Sequence, residues 1–176
     1  MDSSLQNSRK ILDASQIEQK IIRIAHEIYE HNFSASQLIL AGIEDQGYAL
    51  AKRIASVIDQ ISHFNFEQHS LELVSIKLEK FTDTQCNVSL SCPQDHVDGK
   101  SIVLVDDVLN TGRTLAYSMR PFLERDIQQM EIAVLVNRSH SKFPMVATYA
   151  GYELATTLEE HIEVVLSSGE EAVYLS

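Results

Sequence analysis

The sequence predicts an α/β protein in which a doubly wound, mostly parallel sheet is flanked by helices. Short aliphatic runs of the kind found in buried strands alternate with segments whose apolar residues recur at helical spacing. This alternation is typical of a parallel sheet with helices on its faces. The 176 residues contain no internal repeat and no interdomain linker, so we expect a single domain over residues 1–176.

The first half of the chain contains two helices and two strands by these criteria. Residues 1–12 show neither period and are predicted to form a loose lead-in. A helix over residues 15–31 begins with Ser15 and Glu18 at the spacing of a capping box. The remaining elements of this half are a strand over 38–42, a helix over 48–61 and a strand over 71–78.

The second half contains a long irregular stretch and then more strands. Residues 79–100 show little periodicity and are predicted to be a long loop, a flexible arm or a ribbon. A helix over 113–125 contains Pro121, which is expected to kink or break it. The predicted strands are 102–105, 131–136 and short segments within ATYAGYELA, IEVVL and AVYL (172–175).

Charge and hydropathy weigh against several classes of partner, although a small local basic site would still allow RNA binding. The net charge is −11, from 14 Lys and Arg against 25 Asp and Glu. Binding along a nucleic-acid backbone needs a basic face, so this balance weighs against RNA as a partner. No apolar run is long enough to span a bilayer, and the start, MDSSLQNSRK, lacks the apolar core of a signal peptide. We therefore expect a cytoplasmic protein with no membrane partner.

Cysteine spacing gives no sign of a metal site or a disulfide. Cys86 and Cys92 lie in a Ser-, Thr- and Gln-rich segment, and no histidine pair accompanies them at ligand spacing. They are predicted to be two free thiols in a loop.

The stretch SIVLVDDVLNTGRTL (101–115) carries the chemistry of the sequence. A buried strand runs into Asp106 and Asp107, and a small polar loop then leads into a helix. In open α/β sheets, ligands bind beyond the carboxyl ends of the strands. The N–H groups and dipole of a helix N-terminus favour an anion, and Gly112 allows close backbone approach. A phosphate therefore fits this loop.

The two carboxylates suit the other end of a sugar phosphate. They can accept hydrogen bonds from vicinal hydroxyls, and they attract Mg²⁺, usually through its waters. Together with the phosphate loop, they describe a site for a ribose 5-phosphate. The alternative is that Asp106 only caps a helix and Asp107 is simply solvated. The strict order of strand, acidic pair, Gly-containing loop and helix favours the functional interpretation.

VDDVLNTGRT resembles the phosphoribosyl pyrophosphate (PRPP) signature of the type I phosphoribosyltransferases. Within that family, the chain is similar to the pyrimidine operon attenuator and uracil phosphoribosyltransferase proteins. The similarity extends over nearly the whole chain and is weakest over residues 60–100. It is carried by ILDASQIEQKIIRIAHEIYEHN, LILAGIEDQGYALAKRIA and AVLVNRSHSKFPMVATYAGYELATT.

The resemblance implies the family's fold, with a flexible loop and a small base-side hood, and a homodimer or larger homo-oligomer. It implies PRPP and a nucleobase as substrates and Mg²⁺ as cofactor. Asp106 and Asp107 would hold the ribose hydroxyls and, through water, Mg²⁺. The other implied site residues are the PRPP-binding loop (Asn110, Thr111, Gly112, Arg113, Thr114), the pyrophosphate loop (Glu44, Asp45, Gln46, Gly47), the base side (Arg138, His140) and catalytic Lys80.

The chain departs from the family around the pyrophosphate. The family's loop usually has a basic or neutral residue before its Gly, whereas this chain has Glu44-Asp45-Gln46-Gly47. Two acids beside a pyrophosphate are unfavourable unless Mg²⁺ or an outward orientation separates them. The two interpretations are outward, solvated acids and a real loss of pyrophosphate affinity. In the flexible loop, Lys80 supplies charge where the family has Tyr-Arg-Asp-Asp, but it lacks the fork of an Arg.

Two further departures concern the base. Purine-specific relatives have an Asp at the position of Asn110, and an amide cannot take a proton. This weighs against purine chemistry and is neutral for uracil. In the base segment, the family's Asp-Arg-Gly-His becomes Asn137-Arg138-Ser139-His140, which keeps the Arg and the His.

The sequence therefore predicts a phosphoribosyltransferase, with uracil to UMP as the best single reaction. The alternative is a catalytically weakened regulator of pyrimidine metabolism that binds PRPP or a nucleotide, with an RNA attenuator as its family-derived form. A purely structural domain is disfavoured by the intact PRPP loop.

Overall fold

The structure of the protein, a computed structural model, describes residues 8–62, 70–80, 86–138, 142–155, 160–167 and 169–176. The three helices of these segments are α1 (Ala14–His31), α2 (Gln46–Ser62) and α3 (Arg113–Leu123), and a short 3-10 helix covers Gln94–Val97. The strands are β1 (Arg9–Asp13), β2 (Gln37–Ile43), β3 (Ser70–Lys80), β4 (Cys86–Leu90), β5 (Ser101–Leu109), β6 (Gln129–Arg138), β7 (Tyr149–Leu154), β8 (Ile162–Val165) and β9 (Ala172–Leu175). None of these helices is both long enough and apolar enough to cross a membrane.

The main sheet has six strands in the order β4-β3-β2-β5-β6-β7. Strands β3, β2, β5, β6 and β7 are parallel to their neighbours, and only β4 is antiparallel, to β3. Two apolar cores cover opposite faces of this sheet. One contains buried side chains of α1 and α2, and the other contains those of α3. The predicted doubly wound, mostly parallel sheet is confirmed.

A separate three-stranded antiparallel sheet, β1-β9-β8, forms a small hood. Its buried residues Leu12, Ile162, Val164 and Val173 belong to the same core as α1 and α2. The predicted loose lead-in is therefore wrong over residues 9–12, which form most of β1. The partner of β1 lies at the opposite end of the chain, and local periodicity carries no signal of such a pairing.

The N-cap of α1 lies two residues before the predicted Ser15. Asp13 is the N-cap and accepts a 2.9 Å hydrogen bond from the backbone N–H of Gln16, whose side chain accepts one from Asp13 N–H. The predicted pair Ser15 and Glu18 does not form the cap, because the helix begins at Ala14. Asp and Ser are comparably good N-caps, so position decided between them.

The elements of the second half follow the predictions with longer strands. Of the alternatives for 79–100, the ribbon is confirmed in the described part, where β4 pairs with the end of β3. Helix α3 continues through Pro121 and ends at Leu123, two residues before the predicted end. Both cysteines are free, as predicted, although Cys86 is buried in β4 and only Cys92 lies outside a strand.

Candidate active site

The candidate site lies where the direction of the sheet's connections reverses. Strand β2 leads through α2 to β3 on one side, and its other neighbour β5 leads through α3 to β6. The carboxyl ends of β2 and β5 thus adjoin at a topological switch point, where open α/β sheets bind ligands. The loop after β2 begins at Glu44, and the loop after β5 begins at Asn110.

Asp106 and Asp107 lie inside β5, because the strand continues to Leu109 rather than ending at residue 105. Asp106 is buried, at 8% exposure, and Asp107 is partly buried. Each carboxylate orders the backbone after it. Asp106 Oδ1 accepts from Asp107 N–H at 3.0 Å, and Asp107 Oδ1 accepts from Val108 N–H at 2.9 Å. Asp106 is therefore not a helix cap, and the alternative interpretation does not hold for it.

Burial makes both carboxyl groups hard to ionise. The pKa of Asp106 is raised well above its ordinary value by burial, and the charge of the adjacent Asp107 raises it further. Burial also raises the pKa of Asp107, against the hydrogen bonds that stabilise its anion. Two buried acids that resist ionisation gain from an added cation or from hydroxyl donors.

The N-terminus of α2 packs directly against Asp106. A Cβ on Gly47 would lie 2.8 Å from Val105 O, 3.1 Å from Asp106 Cα and 3.2 Å from Asp106 Oδ1. No side chain larger than hydrogen fits this position without movement. Gly47 therefore lets the predicted pyrophosphate loop and the predicted ribose carboxylates meet.

The two acids of the predicted pyrophosphate loop, Glu44 and Asp45, are exposed. Asp45 has a φ of 70°, a left-handed conformation that Asp tolerates better than most residues. The charge of Glu44 contributes to raising the pKa of exposed Lys77, after the larger effect of the hydrogen bond from Lys77 to Glu79. The backbone course of this loop thus leaves both acids in solvent.

Gln46 has a role that the sequence did not indicate. Its Oε1 accepts a hydrogen bond of 3.2 Å from the backbone N–H of Leu166, directly after β8. The predicted pyrophosphate loop is thereby attached to the hood.

The predicted phosphate loop forms the start of α3. Gly112 is the N-cap residue and has a φ of 80°, which favours glycine. Arg113 N–H donates to Thr111 Oγ1 at 3.3 Å, and Thr114 is partly buried in the first turn. The Arg113 guanidinium lies over the Phe143 ring, 5.5 Å from its centroid. This arrangement presents a helix N-terminus beside the acidic pair.

The base side begins at the end of β6. Arg138 is buried, at 4% exposure, and its Nη1 donates to Asn110 Oδ1 at 3.1 Å. An open cleft of about 620 Å³ adjoins it, lined by Asn137, Arg138 and residues 142–146. Arg138 thus joins the predicted phosphate loop to the predicted base side.

Two predicted site residues cannot be placed fully. The backbone of Lys80 ends β3, opposite Cys86, but its side chain lies outside the described part of the structure. His140 also lies outside the described residues.

Sequence reasoning missed the segment that covers the phosphate loop. Thr111 O accepts hydrogen bonds from the N–H groups of Lys142 and Phe143, at 2.9 and 3.1 Å. The Met145 side chain contacts Gly112, since a Cβ there would lie 2.9 Å from Met145 Cγ. The local signal in the sequence was Phe143 next to Pro144, shortly after β6.

The acidic pair fits Mg²⁺ by its chemistry. Carboxylate oxygens are the ligands that Mg²⁺ prefers, and it usually keeps several waters and shares substrate oxygens. Among the described residues, no three His, Cys, Asp or Glu side chains form a cluster able to hold a metal. Two carboxylates supply only part of an octahedral shell, so Asp106 and Asp107 would share Mg²⁺ with waters and substrate oxygens.

Comparisons with known proteins point to one family. The phosphoribosyl transferase domain matches residues 7–166. "Bifunctional protein PyrR" of Streptomyces coelicolor is 34% identical over 166 residues, covering 92% of this chain and 85% of the relative. The protein of the same name from Clostridium kluyveri is 36% identical, covering 89% of each.

Solved structures agree at the level of the fold. A hypoxanthine phosphoribosyltransferase from Staphylococcus aureus superposes with a TM-score of 0.71 at 17% identity, covering 89% of this chain and 85% of that one. A hypoxanthine-guanine phosphoribosyltransferase from Bacillus anthracis gives 0.68 at 14% identity, covering 83% and 82%. Domain match, relatives and fold converge, and the chain belongs to the phosphoribosyltransferase family.

Proposed function

We propose that this protein transfers the ribose 5-phosphate group of PRPP to uracil and produces UMP and pyrophosphate. Asp106 and Asp107 hold the ribose hydroxyls. Residues 110–114 hold the 5-phosphate, and residues 44–47 hold the pyrophosphate. Arg138 and His140 serve to bind the base.

One observation carries the proposal: the N-terminus of α2 and the buried carboxylate of Asp106 adjoin at the switch point of the sheet. A Cβ on Gly47 would lie only 2.8 Å from Val105 O, so the loop backbone runs close to the acidic pair. The start of α3 follows the same strand a few residues later. A sugar phosphate that bridges these groups would place its anomeric carbon between the pyrophosphate loop and the cleft beside Arg138.

The reaction breaks the bond from the anomeric carbon to a pyrophosphate oxygen and forms a bond from that carbon to uracil N1. The electron pair of the broken bond leaves with the pyrophosphate, and the N1 proton is released. Positive charge develops on the sugar as negative charge develops on the leaving group. The chain's own contribution is therefore to position the two substrates and to stabilise charge.

Asp106 and Asp107 are the residues that would hold Mg²⁺. The ion, when bound with PRPP, neutralises negative charge on the pyrophosphate. Ionised Asp106 and Asp107 also accept hydrogen bonds from the ribose hydroxyls, while the N–H groups at the start of α3 face the 5-phosphate.

Uracil is proposed as the base for two reasons. The segments that resemble uracil phosphoribosyltransferases cover nearly the whole chain. In addition, the Asn110 amide, which accepts from Arg138, cannot take a proton from a purine.

A second candidate function is a regulator that binds PRPP or a nucleotide with weakened catalysis. The acidic pair Glu44-Asp45 in the position of a pyrophosphate loop favours it, because negative charges next to the loop oppose pyrophosphate even when both side chains face solvent. Its RNA-binding form is disfavoured by the net charge of −11.

The test is pyrophosphate release by the purified protein with Mg²⁺ and PRPP, against uracil, orotate, hypoxanthine, guanine and adenine separately. Turnover with uracil alone is the expected result. Turnover with another base would show that this base, and not uracil, is the substrate. Silence with every base, together with retained binding of PRPP or UMP, would overturn the enzymatic proposal in favour of the regulator. Salt-sensitive binding to a pyrimidine-operon leader RNA would identify its attenuator form.

We also propose a homodimer or larger homo-oligomer and a cytoplasmic location. Both rest on the sequence and its resemblance alone. Size-exclusion chromatography with light scattering would measure the molar mass of the protein in solution, for comparison with the 19.8 kDa of one chain.

A further inference from the structure

The segment after β6, residues 142–145, is attached to the phosphate loop by several contacts. Two of its N–H groups, from Lys142 and Phe143, converge on the single carbonyl of Thr111, at 2.9 and 3.1 Å. Met145 N–H donates to Phe143 O at 2.7 Å, which folds the segment into a tight turn. The Met145 side chain then rests against Gly112. The loop and the segment therefore move together or lose these contacts.

Arg113 strengthens this attachment from the other side. Its backbone lies in the first turn of α3, within the predicted phosphate loop, while its guanidinium lies 5.5 Å from the centroid of the Phe143 ring. A cation over an aromatic face at this distance is attractive. One residue thus has its backbone in the phosphate loop and its side chain on the base-side segment.

Phe143 is the residue on which these contacts converge. Its N–H binds the loop carbonyl, its ring carries the guanidinium, and it lines the cleft beside Arg138. A phosphate bound by the loop would fix the peptide planes of residues 111–113, and with them the Thr111 carbonyl and the Arg113 side chain. The conformational entropy lost when the loop becomes ordered would then not be lost again when a base binds in the cleft.

We propose that Phe143 is a positioning residue that couples the phosphate loop to the base side, so that phosphate binding orders the nucleobase site. This inference rests on the proposed function and adds to it the residue that links the two half-sites. The coupling is reciprocal, so a bound base also strengthens phosphate binding.

Hydrogen exchange of the full chain with and without ribose 5-phosphate tests the coupling without needing turnover. Ribose 5-phosphate should slow exchange in residues 110–116 and also, by about fivefold or more, in residues 142–148. Phe143→Ala removes the ring but keeps the backbone N–H bond to Thr111 O, so the protection of 110–116 should persist and that of 142–148 should be weakened. Phe143→Tyr keeps the aromatic face and should restore it. Leu123→Ala, which truncates a 66% exposed side chain at the end of α3, is the control.

Kinetics supplies the second readout. If the wild type turns over, Phe143→Ala should raise the KM for the base about fivefold or more, and Phe143→Tyr should recover the wild-type value. The Kd for ribose 5-phosphate measured without a base should stay unchanged in both variants. Protection of 110–116 without protection of 142–148 in the wild type would overturn this inference but not the assignment of the phosphate loop. Unchanged protection of both regions in Phe143→Ala would do the same. Absence of protection in both regions would overturn the assignment of the phosphate loop and the inference with it.

Discussion

Asp106 carries a carboxylate in a place where a charge is costly, and this sets how the free protein responds to pH. Burial raises its pKa above the unfolded value of about 3.9. Below that value, both the folded and the unfolded chain hold the proton, and the group does not affect stability. As pH rises through the window between the unfolded and the folded pKa, the unfolded chain ionises first, so the folded state loses stability.

We therefore predict that Asp106→Asn stabilises the free protein at pH 7 by about 0.5–2 kcal/mol, with little effect below pH ~3.5. An amide oxygen can still accept from Asp107 N–H, so the local hydrogen bond is kept. Thermal unfolding from pH 3.5 to 8 measures the effect, with Asp59→Asn, an exposed position on α2, as the control. A lower Tm than the wild type at pH 7 would show that the charge is compensated in the fold.

The same acids should be indispensable for the ligand. Combining Asp106→Asn with Asp107→Asn removes both charges that would accept ribose hydroxyls and attract Mg²⁺, so PRPP affinity should fall by about 100-fold or more, near 3 kcal/mol. Titration calorimetry with Mg²⁺ and PRPP measures it. Unchanged PRPP affinity in the double variant would show that Asp106 and Asp107 do not bind PRPP. Stability gained together with binding lost is the pattern expected of a functional acid.

Among the elements, α2 has a position set by one glycine. The backbone of its first turn lies against Val105 O and Asp106 because Gly47 has no Cβ. Local sequence indicated a loop and a helix here but not this contact, which joins α2 to β5, a strand far from it in the sequence.

Gly47→Ala should therefore displace the start of α2 and lower the free energy of unfolding by about 1–3 kcal/mol, the usual cost of overpacking. It should also reduce PRPP binding, because the displaced turn carries the pyrophosphate loop. Urea unfolding and PRPP titration provide the two measurements. Ser56→Ala, at an exposed position of the same helix, should change neither. Full stability and full binding in Gly47→Ala would contradict the close packing.

At the scale of the whole molecule, the hood and the main sheet meet at α2. They share one apolar core, and Arg53 on α2 forms ion pairs with Glu18 on α1 and with Glu171 before β9. The bond from Leu166 N–H to Gln46 Oε1 adds a link at the edge of the candidate site. Gln46 thereby links the hood to the proposed pyrophosphate loop.

Gln46→Ala should loosen the hood locally. The loss of one hydrogen bond, about 1 kcal/mol, should speed exchange in residues 160–167 about fivefold while exchange in β5 stays unchanged. Gln46→Glu keeps an acceptor oxygen and should retain protection of the Leu166 amide. Equal protection in Gln46→Ala and the wild type would show that apolar packing alone holds the hood.

Much of this architecture was predictable from local pattern. The alternation of two periods predicted the parallel sheet, and the order of strand, acidic pair, Gly-containing loop and helix predicted a ribose phosphate site. The resemblance to phosphoribosyltransferases then predicted the family, which the domain match over residues 7–166 confirms. That the chain forms a single domain, and that the predicted site residues act in the reaction, Lys80 and His140 among them, stay predictions.

The sequence by itself determined most of the helices and strands and pointed to the family, because periodicity, turn residues and short motifs act over a few positions. Only the tertiary structure decided that residues 9–12 pair with the far end of the chain, that Asp106 is buried against Gly47, and that Phe143 bonds to the phosphate loop. Each of these joins segments far apart in the chain. Their energies come from packing and hydrogen bonds between elements that are distant in the sequence, so a pattern within a few positions does not predict them.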